Sequence, residues 1–147
     1  MTELDGVDAL LAAVGRHLGS SGWVEITGDR VVAFGVATGD TAVVSAEPGT
    51  APDGPAIAPA NLILSLSNFL LPQILEVTGI SAGVNYGTGE VRFPAPVPVG
   101  SRVRARADLV DAQPVGGGVQ TTIVITIDIE GRDQPACVIE SLSRWLA

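Results

Sequence analysis

At 147 residues, 46% of them apolar, the chain is long enough to bury a core of its own and predicts a single domain over 1–147. Its formal net charge is −8 and every basic residue is an arginine, which excludes nonspecific nucleic-acid binding and removes Schiff-base lysine chemistry. One cysteine and one histidine make neither a disulfide framework nor a zinc site, so no metal and no cofactor is expected.

The N-terminal "MTELDGVDALL" is acidic and lacks the basic flank of a secretory signal, which predicts a cytoplasmic protein. Over 5–19, Val7, Leu10, Leu11, Val14 and Leu18 recur at helical spacing and end at Gly19, predicting a first helix. A short extended piece follows at "GWVEIT". Thr27 then reads as the N-cap of a second helix, "GDRVVAFGVAT", closed by Gly39.

Residues 40–56 carry prolines and glycines without periodicity and predict a loop, of a length that inside a compact domain is usually functional or disordered. The most apolar stretch follows. A helix is expected from about 59 to 78, kinked at Pro72 and buried by the fold or by a subunit partner. Asn61, Asn68, Pro72 and Gln73 interrupt that run, so it predicts no membrane span.

From residue 80 the period changes. "AGVNYGTGEVRF", "SRVRARADLVDA", "GVQTTIVITIDIEG" and "PACVIESLSRWLA" read as four strands, with "PAPVPVG", "VGGGV" and "EGRDQPA" between them. Helices first and antiparallel strands after predict an α+β domain, one long helix laid against a curved sheet. Cys137 reads as a small buried residue in the last strand.

Few residues carry chemistry. Asp40 follows the glycine that ends the second helix, where the helix dipole offers a carboxylate nothing; it is a solvated turn aspartate or a site residue. His17, placed on the first helix, has no evident link to Asp40, and Ser45 has no histidine or lysine to activate it. Arg102, Arg104 and Arg106 share one strand face, either as a solvent-facing stripe balanced by acids or as a clamp for the phosphates of a ligand such as coenzyme A. Pro59, Ala60 and Asn61 open the apolar helix. Small residues there either let a ligand carbonyl approach free amides or simply start a helix.

Taken together, "SGWVEIT", "VVAFGVATGD", "LILSLSNFLLP", "NYGTGEVRFPAPVPVGSRVRARADLV" and "PACVIESLSRW" resemble the MaoC-like dehydratases, the family of (R)-specific enoyl-CoA hydratases with a hot-dog fold. The resemblance covers almost the whole chain and is most specific from Asn85 to Val110. It implies a long central helix wrapped by an antiparallel sheet, two such units forming a dimer, and a coenzyme A or carrier-protein thioester as small-molecule substrate. It also implies a site in which an aspartate after "TG" and a histidine five residues on hold a water. A His-Gly pair opening the long helix then polarises the thioester carbonyl.

Carried onto this chain, the resemblance keeps the aspartate as Asp40, sets Ser45 where the histidine stands, and sets Pro59 and Ala60 where the His-Gly pair stands. Asn85, Tyr86 and Gly87 match the family and are expected as structural or tunnel-lining residues, not catalytic ones. Serine barely ionises near neutral pH, and loss of a general base removes a factor of about 10²–10⁴. A misplaced oxyanion donor removes roughly 10²–10³ more. Two expectations follow. One is a working enzyme with altered chemistry, using Asp40 as acid or base, with Ser45 and Asn61 as hydrogen-bond partners that position the substrate. The other is an inactive acyl-binding or partner subunit, paired as a homodimer or with an intact relative.

Overall fold

The computed structural model describes residues 1–40 and 56–147. Its centre is a six-stranded sheet in which β2 (Arg16–Ser20), β6 (Arg102–Val115), β7 (Gly118–Ile129), β8 (Cys137–Leu146) and β5 (Ala82–Arg92) lie side by side in that order. The short β3 (Val24–Glu25) also pairs with β6. All pairings in this sheet are antiparallel. The long central strands alternate. Val103, Ala105, Ala107 and Leu109 of β6 and Ile123, Ile125, Ile127 and Ile129 of β7 are buried, while the residues between them face outward. Leu10, Ile63, Leu66, Leu70 and Ile74 complete the core from the helical side.

The four strands expected after residue 80 are all present, with ends close to those expected. The second helix is also present as α2 (Gly28–Thr38). Thr27 Oγ1 accepts from the Arg30 amide at 3.2 Å, and Gly39 closes the helix in the left-handed region at φ 74°.

The first helix is shorter than its spacing suggests. α1 spans only Gly6–Ala12, and Arg16–Ser20, with His17 and Leu18, is the strand β2. Gly15, at φ 88°, turns the chain out of the helix, and its amide donates to the Leu109 carbonyl at 2.7 Å. Pairing with β6 thus overrides a helical pattern that continues through Val14 and Leu18.

The apolar run is likewise broken. It is helical from α3 (Ala60–Ser65) through α4 (Ser67–Leu70) to a 3₁₀ turn at Leu71–Gln73, and then becomes the strand β4 (Leu75–Thr78). Pro72 sits in the first residues of that turn, where its missing amide proton costs nothing. β4 pairs in parallel with an N-terminal strand not expected from the sequence, β1 (Thr2–Asp5).

Candidate active site

Asp40 is presented at the C-terminal end of α2, and it is exposed. The Thr38 hydroxyl donates to the Phe34 carbonyl at 2.8 Å, and the Asp40 amide donates to Thr38 Oγ1 at 3.3 Å, so the last helical turn and the residue after it are tied together. The chain doubles back closely here. A Cβ at Gly35 would come within 2.9 Å of the Asp40 carbonyl oxygen. Ser45, expected to face Asp40 across the site, lies outside the described residues.

Pro59 is the N-terminal flank of α3, with Ala60 as the first helical residue and Asn61 the second. The approach is fixed by pairing of the preceding segment with residues 97–99. The Ala58 amide donates to the Val97 carbonyl at 2.8 Å, and Ile57 bridges to Pro98. No side chain caps the helix, and the Leu62 amide turns back to the Pro59 carbonyl at 3.0 Å. Ala60 and Asn61 are exposed. The Asn61 carbonyl accepts from the Ser65 hydroxyl at 2.7 Å, one turn on.

Between this helical segment and the inner faces of β5 and β8 runs a groove. One part, of about 500 Å³, lies beside Leu71, Pro72, Val84 and Trp145; another, of about 280 Å³, lies beside Leu64, Ser65, Tyr86 and Ile139. Asn85, Tyr86 and Gly87, expected as tunnel-lining residues, all line it. Asp40, Pro59, Ala60 and Asn61 line neither part. Asn68, Ser141 and Ser143 also line the groove; of these the sequence marks only Asn68, as a polar break in the apolar run and not as a site residue. One signal was available: the inward series of β8 runs Cys137, Ile139, Ser141, Ser143, changing from apolar to small and polar where the groove opens.

The arginine stripe is largely balanced by acids. Arg102 pairs with Glu130 at 3.2 Å and Arg106 with Asp128 at 3.0 Å, while the Arg104 guanidinium lies 4.6 Å from the Trp23 ring centre. Cys137 is fully buried, and burial pushes its thiol up to about 11. Among the described residues no group of histidine, cysteine and carboxylate side chains is arranged to hold a metal, and no helix is long and apolar enough to cross a membrane.

No family model matches the chain. It is 44% identical over 151 residues to 3-hydroxyacyl-thioester dehydratase Z of Mycobacterium tuberculosis, with 100% of both chains covered. Among solved structures it resembles the MaoC-like dehydratase of Rhodospirillum rubrum (14% identity, TM-score 0.69, 91% of this chain and 92% of that one). It also resembles the C-terminally truncated HadBC (3R-hydroxyacyl-ACP dehydratase) complex of M. tuberculosis (14% identity, TM-score 0.66, 90% of this chain and 96% of that one). An antiparallel sheet packed on a short helical segment, shared with these structures, is the α+β hot-dog fold. With identity at this level along the full length of a dehydratase, the chain belongs to the MaoC-like family of hot-dog dehydratases and hydratases.

Proposed function

We propose that the chain acts on an acyl thioester as a hydratase or dehydratase with altered chemistry, using Asp40 as its single acid-base residue. The observation that carries this reading is Asp40 itself, held just past a left-handed glycine at the end of α2 in a chain collinear with a 3-hydroxyacyl-thioester dehydratase. In the hydration direction the water oxygen bonds to C3 of a 2-enoyl thioester and one water proton passes to the Asp40 carboxylate. C2 then takes a proton back from the carboxyl group, which ends as it began. One carboxylate can serve both transfers because they occur in sequence.

Ser45 stands where the family's histidine would share that work. It can orient water but cannot accept its proton near neutral pH. The exposed start of α3 at Pro59, Ala60 and Asn61 is the corresponding place for the thioester carbonyl. Turnover of a short trans-2-enoyl-CoA is therefore expected to be slow in the natural protein and raised by Ser45→His, by up to about 10²–10⁴. Asp40→Asn is expected to abolish it with little change in Tm. Turnover that survives Asp40→Asn overturns this reading.

A second reading is a catalytically silent subunit paired with another chain, and one further observation favours the pairing. β5 is an edge strand of 11 residues whose side chains are nearly all exposed, Val84 and Tyr86 among them. Such an edge is normally covered. A second copy of this chain, or an intact relative supplying the histidine, would cover it and roof the groove. Sedimentation that finds only monomer at micromolar concentration, with and without an intact relative present, overturns both forms of pairing.

A further inference from the structure

The groove between the helical segment and the inner faces of β5 and β8 is crossed at one point. Its smaller part, of about 280 Å³, and its larger part, of about 500 Å³, adjoin, and Ser67, Asn68, Asn85 and Ser141 line both. At this boundary the Asn85 side-chain amide donates to Asn68 Oδ1 at 3.0 Å, joining strand to helix across the groove. We propose that the Asn68–Asn85 pair is a divider that confines the acyl group to the smaller part, so that the protein selects short acyl thioesters; this rests on the thioester reading above.

The order of residues along the helical segment gives the two parts different roles. Leu64 and Ser65 line the smaller part, and Ser65 is bonded to the Asn61 carbonyl, so this part lies one turn from the helix start where the thioester carbonyl would be held. Leu71 and Pro72 line the larger part, beyond the divider. The smaller volume sits near the lower end of the range for small-molecule sites, roughly 300–1,000 Å³.

Room is not what limits a longer chain. Past the divider, Leu71, Leu75, Val77, Val84 and Trp145 offer the apolar surface that a long acyl group would otherwise cover. To reach it, the acyl chain must part Asn68 from Asn85. The pair is exposed to water in the open groove, but an acyl chain lying between the two residues shuts that water out, and their amide groups then face methylene carbons with their hydrogen bond unmade. A short acyl group leaves the pair intact.

The test is calorimetric binding of saturated butanoyl-, hexanoyl- and decanoyl-CoA, which cannot be hydrated, to the natural protein and to Asn68→Ala and Asn85→Ala. The natural protein should bind the two shorter thioesters at least about 10-fold more tightly than decanoyl-CoA. In either variant the ratio of decanoyl to butanoyl affinity should rise by about 10–200-fold, the range by which apolar pockets discriminate chain length. If an alanine variant fails to fold, Asn68→Ser, whose side chain is too short to reach Asn85, should give the same shift. A natural protein that binds decanoyl-CoA as tightly as butanoyl-CoA, or variants whose ratio does not move, overturns the divider while leaving the thioester reading standing. Failure of the natural protein to bind any of the three overturns the thioester reading and the divider with it.

Discussion

His17 Nδ1 lies 2.7 Å from Asp108 Oδ1, in a pair formed across β2 and β6. β2 and β5 are opposite edges of the sheet, so the chain's sole histidine is held three strands away from β8 and the groove. It has a carboxylate partner already, and that partner is not Asp40. His17→Ala should therefore leave turnover of an enoyl thioester unchanged. Both side chains are more than a third exposed, so the loss in stability should not exceed about 1 kcal/mol by urea denaturation. A large loss of turnover with unchanged stability would return His17 to the site.

Gly83 lies directly beneath Trp145. A Cβ there would approach the indole ring to 2.8 Å, while the indole Nε1 is fixed by donation to the buried Thr121 hydroxyl at 2.9 Å. The ring cannot give way without losing that bond. Gly83→Ala should cost about 1–3 kcal/mol, the usual penalty of overpacking, read as a fall in the urea midpoint at unchanged slope. An unchanged midpoint would mean that the β5 edge moves freely away from Trp145.

Cys137 gives a pH dependence of known sign. Its thiol is raised from 9.0 to about 11 by burial, so the folded protein keeps this proton at pH values where the unfolded chain has lost it. Stability from this group is full below pH 9 and falls between pH 9 and 11, by about 1.4 kcal/mol per pH unit within that window. Cys137→Ala should flatten the decline when denaturation is repeated across the same range. In the natural protein at pH 8 a thiol reagent should label Cys137 only in denaturant; rapid labelling without it would show that the last strand opens readily.

Much of this architecture could be read from the chain because half-buried strands alternate. In β6 and β7 nearly every inward residue is apolar, Thr121 being the polar one, most outward ones are polar or charged, and the period declares both the element and its face. α2 was legible for another reason, a side-chain cap at Thr27 and a left-handed glycine at 39, both local devices. β2 was not. Leu10, Val14 and Leu18 continue a helical spacing, and only pairing with Leu109 and Asp108, some ninety positions away, makes Arg16–Ser20 a strand. β1 and β4 depend on each other in the same way.

The site divides along similar lines. Asp40 and the run Asn85, Tyr86, Gly87 stood out as residues, and the latter three do line the groove. Ser141 and Ser143 did not stand out, and Asn68 did so only as a polar break in the apolar run. Periodicity tells which way a serine points, but whether space lies above it depends on how far the helix stands from the sheet.

The close approach of Asp40 to Gly35 has a mechanical consequence. Alanine is the better helix former by about 1 kcal/mol, so Gly35→Ala should on local grounds stabilise α2. Yet its methyl group would meet the Asp40 carbonyl oxygen at 2.9 Å, and backbone cannot swing aside as a side-chain tip can. The methyl would act as a wedge under the residue proposed as the acid or base. Turnover should fall by 10-fold or more, since a displacement of about 1 Å can cost 10²-fold, while Tm changes little because the backbone clash offsets the gain in helix propensity. The missing side chain at position 35 is thus a setting for the height of the Asp40 carboxylate, adjustable from behind without changing a single reactive atom.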